Sequence, residues 1–105
     1  MLRQLQGLRS FVSVARWGSV RDAARRQHYD PSTIRSHVRG LERQLGLRLL
    51  RRGSGGVDGG LTADGERLAP KAERAVEAVD EVESQAARLA GVAQGHGGTP
   101  PVPAL

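Results

Sequence analysis

The sequence predicts a mainly α-helical fold, a winged helix-turn-helix followed by one long C-terminal helix that serves dimerisation. Two short helical patterns separated by a brief turn predict the helix-turn-helix. A glycine-rich segment after them predicts the wing, and an apolar heptad repeat predicts the long helix. We therefore divide the 105 residues into a winged helix-turn-helix domain (1–62), a linker or dimerisation helix (63–90) and a disordered Gly/Pro-rich tail (91–105).

The first two predicted helices are joined by Gly18. Apolar residues at helical spacing predict a first helix over about residues 4–16, namely Leu5, Leu8, Phe11, Val12 and Ala15. Ser19 followed by Asp22 resembles a capping box and predicts the start of a second helix. That helix is short and ends near His28.

The third predicted helix has the clearest boundaries. Asp30 stands at the N-cap position, which aspartate favours, and Pro31 stands at the first helical position, which proline favours. Gly46 is typical of a helix C-terminus. Between these ends a single stripe is expected to be buried, made of Ile34, Val38, Leu41 and Leu45.

The segment after Gly46 predicts a wing. Residues 47–52 and 60–62 are interpreted as two short paired strands, joined by the glycine-rich residues 53–60. A plain loop is the alternative. No arginine or lysine lies between Gly53 and Gly60.

A fourth, long helix is predicted from Thr62, a suitable N-cap, to about residue 90. Its apolar residues alternate at spacings of four and three, which is typical of a coiled-coil seam. The predicted dimerisation residues are Leu68, Ala72, Ala75, Val79, Val82, Ala86 and Leu89. Alternatively, this stripe packs back on residues 1–50. A helix of about 28 residues is about 42 Å long, too long for so small a core, so self-association is favoured.

The charge is distributed unevenly along the chain. Residues 1–52 contain twelve arginines and three acidic residues, whereas residues 53–105 have four basic and eight acidic residues. Arginine binds phosphate and guanine edges bidentately, so the basic half predicts a nucleic-acid partner. An ordinary solvated basic surface is the alternative.

The outward face of the third helix is the candidate reading surface. It carries small hydroxyls near its start and Arg35 and Arg39 one turn apart, within reach of guanine edges or phosphates. The predicted DNA-binding residues are Ser19, Arg21, Pro31, Ser32, Thr33, Arg35, Ser36, Arg39, Arg43 and Arg52.

Several other function classes lack support in the sequence. The chain contains no cysteine and its three histidines lack metal-ligand spacing, so no metal site and no cofactor is predicted. The sequence shows neither a nucleophile–base pair nor a P-loop motif, so an enzyme is not predicted. No apolar run is long enough to span a membrane. We expect a cytoplasmic protein.

The ordered motifs resemble LysR-type transcriptional regulators over about residues 3–90. They are Leu8-Arg9-Ser10-Phe11-Val12, Gly18-Ser19-Val20, Ala23-Ala24, Pro31-Ser32-Thr33-Ile34, Leu41-Glu42, Leu45-Gly46, Leu49 and Arg52, and Leu61-Thr62 followed by Gly65-Glu66. The resemblance implies a winged helix-turn-helix whose third helix enters the major groove while the wing flanks the minor groove. The lack of basic residues between Gly53 and Gly60 weakens the expectation of a minor-groove contact. The resemblance also implies an antiparallel dimer through the linker helix and a palindromic operator, in a bacterial, nucleoid-associated protein. Molybdate-responsive regulators have a similar N-terminal domain.

Departures from the family pattern concern both the residues that would read DNA bases and the domain that would bind a coinducer. Pro31 stands where Gln is common, Arg35-Ser36 where Ser-Arg is common, and Gln27 where an apolar Leu is usual. No operator can therefore be borrowed from the family. The family's coinducer-binding domain is absent from these 105 residues. Two functions follow as expectations: a homodimeric operator-binding regulator, or a truncated subunit that heterodimerises with a full-length regulator and modulates it.

Overall fold

The computed structural model describes residues 2–51 and 60–93. In this part of the chain four helices follow one another: α1 (Leu2–Trp17), α2 (Val20–Gln27), α3 (Pro31–Leu45) and α4 (Ala63–Ala93). The predicted mainly α architecture with a long last helix is confirmed. The last helix ends at Ala93, beyond the predicted residue 90. The tip of the predicted wing (52–59) and the tail after residue 93 lie outside the described residues.

Helices α1, α2 and α3 pack around one small core. Phe11 of α1 and Ile34 and Val38 of α3 are completely buried, and Ala23 and Ala24 of α2 pack beside them. The apolar spacing of these residues puts each set on one face of its helix. Of the predicted apolar residues, Phe11 and Val12 in α1 and Ile34, Val38 and Leu41 in α3 are confirmed as buried.

The turn between α2 and α3 is built by local capping. The Ser19 Oγ accepts a hydrogen bond from the Asp22 backbone N–H at 3.0 Å, as the sequence predicted for the start of α2. At the other end of α2, His28 adopts a left-handed conformation with φ 61°. The Tyr29 N–H then donates to the Ala24 carbonyl at 2.9 Å, which satisfies one terminal carbonyl.

Leu45 is a correction to the predicted stripe. It is 46% exposed, whereas Leu49 is completely buried. Gly46 takes a left-handed conformation with φ 70° and ends α3 directly after Leu45. This turn redirects the chain, so that Leu49 and not Leu45 continues the core beyond Leu41.

The predicted strand pair is reduced to one antiparallel bridge between Leu50 and Leu61 in the described residues. A side chain of α3 binds two backbone amides of this segment. The Glu42 carboxylate accepts the backbone N–H groups of Leu49 at 2.7 Å and Leu50 at 3.0 Å. These amides are satisfied by α3 itself, so the base of the wing is fixed to the third helix.

The start of α4 is fixed to the same segment. The Thr62 hydroxyl donates to the Arg48 carbonyl at 2.6 Å and accepts from the Gly65 N–H at 2.9 Å, which confirms Thr62 as a cap. A Cβ built on Gly65 would lie 2.4 Å from the Leu49 carbonyl oxygen. The backbone of α4 therefore approaches residue 49 more closely than any side chain would allow.

The apolar seam of α4 is divided between two environments. Ala72 is only 4% exposed and is buried within the chain together with Val76. Leu68 packs partly against the same core. Val79 is half-buried, Ala75 is exposed, and all side chains over 81–89 are exposed. The alternative prediction, that the apolar stripe packs back on residues 1–50, therefore holds for the first part of α4. Helix α1 is too short to cover the rest.

Gln27 ends α2 with an unsatisfied group. Its Oε1 is buried and has no hydrogen-bond partner among the described residues. The apolar Leu that is usual at this position in the family carries no polar group that needs a partner.

Candidate nucleic-acid interface

The N-terminus of α3 is organised by Asp30. Its Oδ1 accepts hydrogen bonds from the Ser32 backbone N–H at 3.1 Å and from the Ser32 hydroxyl at 2.9 Å. These bonds stabilise the carboxylate and lower the pKa of Asp30, with a smaller contribution from Arg35. Pro31 occupies the first turn, as predicted. Hydrogen bonds within the chain and the fixed φ of proline thus define the first turn.

The outward face of α3 is polar and basic. With Ile34 and Val38 buried, the opposite side of the helix presents the predicted residues to solvent. Ser32, Ser36, Arg39 and Arg43 are exposed, and Pro31, Thr33 and Arg35 are half-buried. The structure therefore brings seven of the predicted residues together on one helix.

Ser32 has a more restricted chemistry than its hydroxyl suggests. Because that hydroxyl donates to Asp30, its oxygen is left as an acceptor. Major-groove amino groups of cytosine and adenine donate, whereas phosphates only accept. Ser32 in this arrangement is therefore suited to a base edge rather than to the DNA backbone.

Ser19 and Arg21 lie at the start of α2, away from this helix in sequence. The Ser19 side chain caps α2, and Arg21 is exposed. Arg52 lies outside the described residues, so its predicted role stays a prediction. The neighbouring Arg51 is exposed, and its backbone N–H donates to the Gly60 carbonyl at 2.8 Å.

A second set of residues holds α3 in place, and the sequence reasoning missed it. The Ser10 Oγ and the His37 Nδ1 are 2.8 Å apart, joining α1 to α3. The Tyr29 ring meets the His37 ring edge-on at 5.3 Å between centroids. A Cβ on Gly7 would lie 2.8 Å from the His37 carbonyl oxygen. The position of His37, three residues after Ile34, is the sequence signal that could have indicated an inward contact.

Some arginines of the basic half are engaged within the chain. Arg9 pairs with Asp80 at 2.9 Å and with Glu83 at 3.5 Å, and Arg16 pairs with Glu73 at 3.2 Å. The Arg26 guanidinium stacks on the Trp17 ring, 3.8 Å from its centroid. None of these contacts involves an arginine of α3: the three salt bridges join α1 to α4, and the stacked pair joins α2 to α1.

Metal chemistry has no support in the described residues. Over 2–51 and 60–93, no three His, Cys, Asp or Glu side chains are grouped so as to hold an ion. None of the described helices is long and apolar enough to cross a membrane.

Comparison with solved structures gives the same arrangement. The chain superposes on a crystal structure of the BenM DNA-binding domain in complex with catB site 1 DNA, with a TM-score of 0.68 and 30% identity over 88% of this chain and 97% of that one. The CbnR DNA-binding domain in its DNA complex gives a TM-score of 0.67 and 30% identity, over 82% and 97%. The winged helix-turn-helix fold is thereby confirmed.

Sequence comparison agrees. A probable nitrogen assimilation transcriptional activator of Synechococcus elongatus is 42% identical over 71 residues, which are 68% of this chain and 22% of that protein. Across four such relatives, the chain spans between 22% and 47% of their lengths. The profile of bacterial regulatory helix-turn-helix proteins of the lysR family matches residues 5–66. The chain belongs to the lysR family of bacterial regulatory helix-turn-helix proteins.

Proposed function

We propose that this chain regulates transcription by binding double-stranded DNA sequence-specifically as a homodimer. In each protomer α3 lies in the major groove and reads base edges. The observation that carries the proposal is the outward face of α3, where Ser32, Ser36, Arg39 and Arg43 are exposed beside the half-buried Arg35. Arginine and small hydroxyls are the residue types that recognise guanine, amino groups and phosphates.

The rigidity of α3 supports base readout over loose electrostatic binding. The Asp30 cap, the His37–Ser10 hydrogen bond and the Glu42 contacts fix the start, middle and end of the helix. A reading helix held at three points presents its side chains in one register. Such preorganisation reduces the ordering cost of binding.

The exposed half of α4 supports the homodimer. Val82 is 68% exposed and Leu89 63% exposed, and Ala86 lies between them on the same side of the helix. Covering these side chains with a second α4 removes apolar surface from water. A two-fold dimer presents two α3 helices, and so predicts an operator with inverted half-sites.

The test begins with selection of bound duplexes from a random DNA pool by the purified protein alone. We expect a consensus with two inverted half-sites. Failure to enrich any consensus would contradict the proposal and favour the second function, a subunit that needs a full-length regulator to bind DNA.

Base readout is tested by Arg35→Ala on the selected duplex. The variant should lose about 1–3 kcal/mol of binding free energy per half-site and relax the preference at one position of each half-site. Arg88→Ala removes the same charge from the distant part of α4 and should leave that preference unchanged. If Arg35→Ala weakens binding equally on every sequence, Arg35 contacts phosphate and does not read a base.

A further inference from the structure

Two of the four glycines within the described helices are required by the fold. A Cβ on Gly7 would lie 2.8 Å from the His37 carbonyl oxygen, and one on Gly65 would lie 2.4 Å from the Leu49 carbonyl oxygen. Both distances are shorter than ordinary van der Waals contact. At these positions the backbones of neighbouring segments pack directly on the helix, so any side chain would push them apart.

No close contact within the protomer requires glycine at position 40. It lies in the middle of α3, and a Cβ built on it meets nothing within 4 Å. Glycine in a helix interior is less favourable than any residue other than proline, because it loses the most backbone freedom on folding. Alanine at this position would therefore stabilise the protomer. Gly91 also has open space around it, but it stands near the end of α4, where helices fray and glycine costs less.

The neighbours of Gly40 on α3 indicate what could occupy the space. Ser36 precedes it by four residues and Arg43 follows it by three, so both lie on the same side of the helix. Both side chains are exposed. A serine hydroxyl donates to a phosphate oxygen, and an arginine binds phosphate bidentately. Two phosphate-binding side chains thus flank the one position of this face that has no side chain.

We propose that Gly40 is the point of closest approach between α3 and the DNA. The phosphodiester backbone of one strand passes over the Gly40 Cα, held by the Ser36 hydroxyl on one side and the Arg43 guanidinium on the other. A side chain at position 40 lifts α3 out of the groove. This inference rests on the proposed function, since it assigns a contact within the same DNA interface.

The experiment compares Gly40→Ala and Gly40→Leu with the wild type, on a duplex that the wild type has selected from a random pool. Alanine and leucine are both good helix formers, so each variant should fold, with a thermal midpoint raised by about 4–8 °C for alanine. The affinity for DNA should fall about tenfold for alanine and about a hundredfold for leucine, because the steric cost of overpacking a close contact grows with side-chain size. Gly91→Ala is the matched control and should bind like the wild type.

The expected result for Gly40→Ala is therefore a higher thermal midpoint together with weaker DNA binding. If Gly40→Leu is folded and binds the selected duplex as tightly as the wild type, the inference is overturned. An equal loss for alanine and leucine would also overturn it, because stiffening of α3 and not contact with DNA would then be the cause. A wild type that selects no duplex at all would instead refute the proposed function itself.

Discussion

The two halves of α4 carry the same apolar spacing and have opposite environments. Over residues 63–80 the helix lies on the domain and buries Gly65, Ala72 and Val76. Over 81–89 every side chain is exposed. Helix α1 has 16 residues and α4 has 31, so at 1.5 Å per residue they are about 24 Å and 46 Å long. One neighbour cannot cover both halves. A heptad repeat thus indicates that a face is apolar, and helix length decides what covers it.

Charge marks the boundary between the two halves. Arg9 of α1 contacts Asp80 and Glu83, near the place where burial stops, and Arg16 contacts Glu73, seven residues before Asp80. The acidic second half of the sequence therefore serves partly to hold α4 on the basic α1. The basic face of α3 lies on another helix, and none of these three salt bridges involves it.

The largest difference between the two halves of α4 is expected when an alanine in each half is replaced by glutamate. Ala72→Glu places a charge in the core, which costs about 3–5 kcal/mol, comparable with the whole stability of a small domain. Most of the helical circular dichroism should be lost. Ala86→Glu should keep that signal and weaken only self-association, measured by sedimentation. If both variants stay folded and dimeric, the division of α4 is wrong.

An intermediate effect is expected from the glycines of the two halves. Gly65→Ala forces the Leu49 carbonyl away from α4, and overpacking of this kind lowers the free energy of unfolding by about 1–3 kcal/mol. Gly91→Ala meets no atom within 4 Å and should be neutral or slightly stabilising in urea unfolding. Equal stabilities for the two variants would show that residues 49 and 65 are not in close contact.

The smallest effect is expected at the boundary itself. Arg9→Met removes the charge and keeps most of the apolar stem. Its partners Asp80 and Glu83 are more than half exposed, so the loss should not exceed about 1 kcal/mol and should disappear in high salt. Arg74→Met, at an exposed position of α4, is the control. A larger loss that persists in high salt would mean that the stem, and not the charge, holds α4.

Local sequence determined the ends of the helices. The Ser19 cap, the Asp30-Pro31 start, the Gly46 end and the Thr62 cap all lie where the residues predicted them. Each of these caps satisfies a backbone N–H or carbonyl two to four residues away, so the cap itself can be predicted from local sequence. The additional bond from the Thr62 hydroxyl to the Arg48 carbonyl is the one non-local contact among them. The polar and basic outer face of α3 followed from the same local periodicity, because burying Ile34 and Val38 leaves only one side for the arginines.

Only the tertiary structure decided which apolar residues are covered and what holds α3. Leu45 and Leu49 have the same side chain, yet the turn at Gly46 exposes one and buries the other. Val76 and not Ala75 faces α1, because the 3.6-residue period of a helix drifts from a heptad repeat. The Ser10–His37 bond joins residues 27 positions apart. Such pairings depend on how whole helices lie against each other, and no local pattern records that.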